Sequence, residues 1–306
     1  MEDQNEIFNI FDDGFVEPKA EEKAQLIADL QSGNYHLSFS AMSAFAISPR
    51  AFIAYKLQER KTTKAMVMGQ AVHCLVLEPD EFTNRFHIAP DVSGATKEGK
   101  AAWHKIYCDF VEDVPADEFK MKIDDIIQAV EVATKVIVLP GKSEQEAKAR
   151  SRALINNRAC RHVLDQITAT ELFLPDTFNI SGIKFKGALD AKGPRIIADI
   201  KNMPDATLQK AQGSIWSRRL HWQAFAYDSA YGGGHKCHIL CVDGIGETSV
   251  HCFNDHHLIQ AEKQVKKYVQ HFLQCIFESQ YDATIWDASQ DFWLRSDMNT
   301  NGINYL

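Results

Sequence analysis

Two kinds of hydrophobic spacing divide the chain. Up to about Asp165 apolar residues recur at helical intervals, and beyond it they mostly alternate with polar ones as strands do. Helical spacing predicts helices over residues 21–31, 100–110, 123–138 and 144–165, with "SGATKEGK" as a loop before the second. Ser40 suits the N-cap of a short helix. Ser48-Pro49 opens another, with proline at the first helical position, where its missing donor costs nothing. In "MVMGQAVHCLVLEPDEF" Met68, Val72, Leu75 and Val76 keep the helical period until Pro79 ends it. Strands are predicted over 169–173, 178–190, 196–201, 237–242 and 248–253. A helix over 216–231 interrupts them and stops at three glycines, and a last long helix follows Asp255.

This order predicts one α/β domain over residues 34–306 with a helical N-terminal portion, preceded by an acidic arm over 1–33. The 306 residues, 45% hydrophobic and 24% charged, suffice for a full core. No apolar run approaches the roughly 20 residues that cross a bilayer, and the acidic N-terminus is unlike a signal peptide, so a cytoplasmic location and no membrane partner are expected. Seven cysteines are scattered singly, which reads as reduced, mostly buried thiols rather than staples or a zinc or iron-sulfur site. The net charge of −8 is uneven: residues 1–30 carry a balance of −7, and residues 31–64 a balance of +4.

Chemistry concentrates in "GALDAKGPRIIADIKN". If residues 196–201 are extended, Asp199 and Lys201 share a face. Asp190 on the preceding arm lies directly opposite Asp199 if the turn centres on Pro194-Arg195, or diagonal to it if it centres on Gly193-Pro194. Two carboxylates suit Mg²⁺, Mn²⁺ substituting, and the Ile200 carbonyl offers a further oxygen. A lysine beside them suits a phosphate and its attacking water. Surface ion pairs produce the same spacing, so context decides.

These residues resemble the PD-(D/E)XK nuclease superfamily, in which a hairpin aspartate, a second acid and a lysine two residues later make the metal site. "GQAVH" resembles the helix-borne histidine motif of its RecB-like group, and "QAFAY" the Q-x-x-x-Y motif after the hairpin. Glu171 occupies the place of an accessory acid. "LSFSAMSAFAISPRAFIAYK", "MGQAVHCLVLEP", "TKEGKAAWHK" and "IKFKGALDAKGPRIIADIKN" follow the order seen in RecE-type exonucleases of phages and prophages. Two departures stand out: Gly187-Ala188-Leu189 where relatives often carry an arginine, and Asn202-Met203-Pro204 in place of threonines.

The resemblance implies a restriction-endonuclease-like core, a mixed central sheet flanked by helices. It implies a Mg²⁺-dependent exodeoxyribonuclease that digests linear double-stranded DNA 5′ to 3′, as a ring, supplying 3′ strands to a single-strand annealing protein. Lys201, Asp190, Asp199, His73, Glu171, Gln223 and Tyr227 are then the catalytic set, with Asp190, Asp199, Ile200 and His73 at the metal. Arg50, Lys56, Lys97, Lys100 and Arg218, with Arg60 and Lys61, are candidate DNA contacts, and Arg50 near a helix N-terminus suits a 5′ phosphate. Trp103 and Trp216 read as core, with base stacking the other use. A structure-directed endonuclease and a non-catalytic DNA-binding module are the rival readings.

Overall fold

The computed structural model describes residues 19–33, 35–58, 62–93 and 95–277. Residues 1–18, Arg60 and Lys61 lie outside these, so the acidic arm is described only from Lys19. The architecture is mixed α/β.

The N-terminal portion holds α1 (Ala20–Gln31), β1 (His36–Ser38), α2 (Phe39–Phe45), α3 (Pro49–Leu57), α4 (Lys64–Leu77), α5 (Phe82–Arg85) and β2 (Phe86–Ala89). There follow α6 (Lys97–Phe110), α7 (Ile123–Thr134), β3 (Ile137–Pro140), α8 (Gly141–Asn156) and α9 (Arg158–Leu164). The second half holds β4 (Ala169–Phe173), β5 (Asn179–Ile180), β6 (Ile183–Lys186), β7 (Ala188–Lys192), β8 (Ile196–Asn202), α10 (Leu208–Ser217), α11 (Leu220–Ala230), β9 (Lys236–Val242), β10 (Thr248–Phe253) and α12 (Asp255–Phe277).

The main sheet has the order β10-β9-β8-β7-β4. Only β8 and β9 run parallel, because the α10–α11 crossover joins them, and the other pairs are antiparallel. Smaller sheets pair β1-β6-β5 and β2-β3. Helices cover both faces of β8, so Ile196, Ile197, Ala198, Asp199 and Ile200 are all buried. One cluster joins Ile196, Ala198, Ile200 and Ala191 to Met68, Ala71 and Val72 of α4 and to Ala147 and Leu154 of α8. The alanines leave room for α4 to lie close on the sheet. The other cluster puts Ile197 and Leu189 against Trp222, Phe225 and Tyr227 of α11 and Val265, Val269 and Phe272 of α12. Leu26 and Leu30 of α1 join it, so this helix belongs to the core.

Several predicted elements are divided, each by a local backbone constraint. The strand expected over 178–190 breaks at Ser181-Gly182, both with positive φ, and again at Gly187. The helix over 144–165 breaks at Asn157, whose side chain accepts from Ala159 and Cys160 N–H and caps α9. The helix expected over 216–231 takes in α11 and only the last two residues of α10, the two parted at Arg219, in the left-handed region at φ 55°, and the rest of α10 was not expected. The helix expected to reach Val138 ends at Lys135, φ 58°, and β3 follows. The N-cap of α2 is Ser38 rather than Ser40, its hydroxyl accepting from Ala41 N–H. "TKEGK" is the start of α6 rather than loop, because Thr96 caps Gly99 N–H. Ser48-Pro49 and Pro79 act as expected, opening α3 and following the end of α4.

Gly187 has a steric reason. A Cβ there would stand 3.0 Å from the Tyr227 hydroxyl, which donates to Ala188 O at 2.5 Å and accepts from Gln223 Nε2 at 2.8 Å. Gly187→Ala is therefore expected to cost about 1–2 kcal/mol by overpacking, and Tyr227→Phe about 1 kcal/mol for the lost bond. Because the two share one contact, denaturant unfolding of the double variant should show less than the sum of the single losses.

Candidate active site

The site lies where the β7–β8 ladder stops. Pairing is regular at Lys192↔Ile197 and Ala191↔Ala198, with Gly193 N–H donating to Ile196 O, so Pro194-Arg195 is the turn centre. Of the two registers open in the sequence this is the one that sets Asp190 opposite Asp199. One step further the strands diverge, and Ile200 N–H donates to Asp190 Oδ2 at 2.8 Å instead of to a backbone carbonyl. The acid has replaced a ladder acceptor.

Three more side chains meet these acids. His73, on the face of α4 that lies on the sheet, places Nε2 2.5 Å from Asp190 Oδ2 and Nδ1 3.1 Å from Glu171 Oε1. Glu171 reaches it from β4 with φ 51°, a left-handed backbone in a strand, strain of about 1–3 kcal/mol of the sort held at functional positions. Thr170 beside it donates to Glu78 Oε1 at 3.2 Å, and Glu78 pairs with Arg85 at 2.6 Å, tying β4 to the end of α4. Lys201 Nζ lies 2.6 Å from Asp199 Oδ2. Asp199 is 5% exposed, and its Oδ1 is buried without a hydrogen-bond partner.

Electrostatics separate the two aspartates. Burial would push Asp190 up, but the Lys201 charge, the His73 bond and charge, and Ile200 N–H hold it down to about 2. Asp199 is pushed up to about 7, first by burial and then by the Asp190 charge, against the pull of Lys201. Burial works to lower both His73 and Lys201, yet the neighbouring carboxylates outweigh it and each ends above its ordinary value. The charge of Arg218 acts in the opposite sense on Lys201.

Among the described residues no three His, Cys, Asp or Glu side chains form a ready metal cage, because His73 and Lys201 already engage the carboxylates. The donor set nevertheless fits a hard divalent cation: two carboxylates on adjoining strands, one with an orphaned buried oxygen, beside a third acid and an imidazole.

Residues 38–282 match the family described as a PDDEXK-like domain of unknown function (DUF3799). The chain belongs to this family. Among solved structures, one from Eubacterium rectale named "Putative exonuclease" aligns with a TM-score of 0.52, over 87% of this chain and 89% of that one, at 12% identity. The likeness is one of fold. No curated protein matches the chain.

In this PDDEXK-like domain the remaining expected residues fall into two groups. Gln223 and Tyr227 sit one turn apart on α11, and Tyr227 is 1% exposed, so the pair grips the start of β7 from behind. Among the described residues no hydrogen bond or ion pair joins Arg50, Lys56, Lys97 or Lys100 to the acids. Arg50 is half-buried at the second position of α3, Lys56 lies over the Tyr35 ring at 4.9 Å, and Lys97 and Lys100 are exposed on α6. Trp103 is core, whereas Trp216 is 37% exposed against His221, Phe253 and His257. Five cysteines are buried, Cys108 is half-buried and Cys252 exposed. Among the described residues no helix is long and apolar enough to cross a membrane. Two participants escaped the sequence reading: Arg150, whose Nη1 donates to Asn202 Oδ1 at 3.2 Å, and Glu78. Their only signal was a charged residue at the edge of an apolar helical stripe.

The raised Asp199 carboxyl gives a stability prediction. Below about pH 4 the group is protonated folded or unfolded; as pH rises towards 7 the unfolded chain ionises first, so native stability falls. Asp190 has the opposite sign, its contribution present above 3.8 and lost as pH falls through about 2. Asp199→Asn should therefore stabilise the metal-free protein by about 1–2 kcal/mol near pH 8 and by little near pH 4, measured by thermal melts in chelator.

Proposed function

We propose that the protein is a metal-dependent nuclease, an exodeoxyribonuclease that digests linear double-stranded DNA from the 5′ end and leaves 3′ single strands for annealing-type recombination. The observation that carries the hydrolytic reading is the meeting of Asp190, Asp199 and Lys201 at a strand divergence, with His73 and Glu171 closing the other side. Nucleases of this superfamily generally use divalent cations, and the likeness in fold to a protein named as an exonuclease supports end-directed digestion.

Asp190 and Asp199 would hold Mg²⁺ through their carboxylates, with the Ile200 carbonyl, His73 and Glu171 as further donors. When bound, the ion neutralises the scissile phosphate and acidifies a water. Lys201, released from Asp199, turns its ammonium to the phosphate oxygens and the attacking water and stabilises the charge that develops. Arg218, whose charge reaches Lys201, draws the phosphate in. His73 keeps Asp190 ionised and oriented. Tyr227 and Gln223 hold Ala188, and so the start of the strand that bears Asp190. A ring of copies around the DNA and a single-strand annealing protein as partner complete the proposal.

The test is digestion of 5′-labelled and 3′-labelled linear duplex beside a covalently closed circle. With Mg²⁺ or Mn²⁺ the linear DNA should be consumed with early loss of the 5′ label, and the circle spared. Chelator should abolish the reaction, and Lys201→Ala should slow it by about 10²–10³-fold. Cutting of the circle would favour a structure-directed endonuclease. Binding without release of nucleotides would favour a non-catalytic module.

A further inference from the structure

Of the "GQAVH" stretch, the site as described uses His73 and the core Ala71 and Val72; Gln70 is exposed, and Gly69 has no role yet. It lies in the middle of α4, one turn before His73, where glycine weakens a helix relative to alanine. Nothing in the fold asks for it. Its φ is not positive, and a Cβ added there would meet only Asn202 Nδ2, at 3.8 Å, an ordinary contact. Contrast Gly99 and Gly193, where a Cβ would strike backbone carbonyl oxygens at 1.9 Å and 2.0 Å. The missing methyl at 69 leaves a gap that the protein does not fill.

The atom facing that gap is a directed donor. Asn202 follows Lys201 on β8, and its Oδ1 accepts from Arg150 Nη1 at 3.2 Å. A guanidinium only donates, so this bond fixes which end of the amide is oxygen and turns Nδ2 away from Arg150. Among the described residues Nδ2 has no hydrogen-bond partner of its own. Arg150 is fixed in turn by Glu146, and Gly244 sits where a Cβ would come within 3.2 Å of Arg150 Nη2. Arg150 is 15% exposed at its side chain, so it holds the Asn202 amide from beneath.

We propose that Gly69 and Asn202, with Arg150 behind them, form a subsite for the sugar-phosphate backbone of the nucleic acid next to the scissile phosphate. This rests on the nuclease reading above. Gly69 lets the backbone approach α4 closely, and Asn202 Nδ2 donates to a phosphate or sugar oxygen. The subsite is one turn of α4, about 5.4 Å, from His73, on the scale of one to two nucleotide rises of about 3.4 Å. Asn202 and Gly69 are positioning residues: they set where the strand lies and leave the bond-breaking groups alone.

The experiment measures equilibrium binding of a fluorescent linear duplex by anisotropy, in chelator so that no cleavage intervenes, together with melting temperature. Gly69→Ala should melt about 2 °C higher, as expected for alanine in a helix, yet bind DNA about 10-fold more weakly. Asn202→Ala should weaken binding about 10-fold. Asn202→Asp, which keeps the bond to Arg150 but presents an oxygen to the phosphate, should weaken it further. In digestion assays with Mg²⁺ these variants should raise KM more than they lower kcat.

A lower melting temperature for Gly69→Ala would make the glycine a packing residue and overturn the proposal, as would unchanged DNA affinity in Gly69→Ala and Asn202→Asp. If the wild-type chain releases no nucleotides but the affinity losses appear, the subsite stands and the nuclease reading falls.

Discussion

A sheet that buries two carboxylates on adjoining strands must neutralise them or give up folding stability. Here the burden is divided unequally. Asp190 receives an imidazole, a backbone N–H and the field of Lys201, and stays ionised. Among the described residues Asp199 receives the ammonium two residues away and keeps an oxygen without a hydrogen-bond partner. The rest of the centre follows from this asymmetry. His73 must come from a helix laid directly on the sheet, which requires the small residues Ala191 and Ala198 beneath α4. Glu171 must reach the far ring nitrogen, which its strand achieves by adopting a backbone disfavoured for any side chain. Strain, burial and like charge accumulate in one place, the pattern of a centre selected for chemistry over stability.

The acid-lysine arrangement was legible in the sequence because strand alternation has period two, so "ADIK" alone puts Asp199 and Lys201 on one face. Which residue opposed Asp199 was not, since Gly193-Pro194-Arg195 permits two turn centres and only the Gly193 N–H to Ile196 O bond selects between them. Helices were found where an amphipathic stripe ran unbroken, as in α4 and α12. They were overextended where a single backbone event interrupts a continuing stripe. Asn157 and Arg219 have this effect, and neither glycine nor proline announces it. The short parallel pairs β1–β6 and β2–β3 went unnoticed because strands of three or four residues carry too few alternations to register.

The cation-rich stretch and the acid centre lie apart in the fold. Lys56 and Arg50 sit in the most basic part of the sequence; among the described residues no ion pair joins them to the acid centre, and Lys56 lies on an aromatic ring. Arg218 and Arg150, each embedded in a mixed local sequence, are the ones that act there, Arg218 through its charge on Lys201 and Arg150 through its bond to Asn202. Net charge along a sequence averages over faces of helices that point in different directions, whereas a phosphate responds to the few positive groups within a Debye length.

β8 is zipped to β9 along all seven of its residues but to β7 along only two. Its two flanks are therefore mechanically unequal. Lys201 and Asp199 ride on the clamped flank and keep their place relative to the core. Asp190 and Glu171 belong to the β4–β7 ribbon, which meets β8 through those two pairs and the Ile200 N–H bond to Asp190. A tilt of that ribbon would part the two carboxylates while leaving the β8–β9 ladder whole, one jaw against a fixed one.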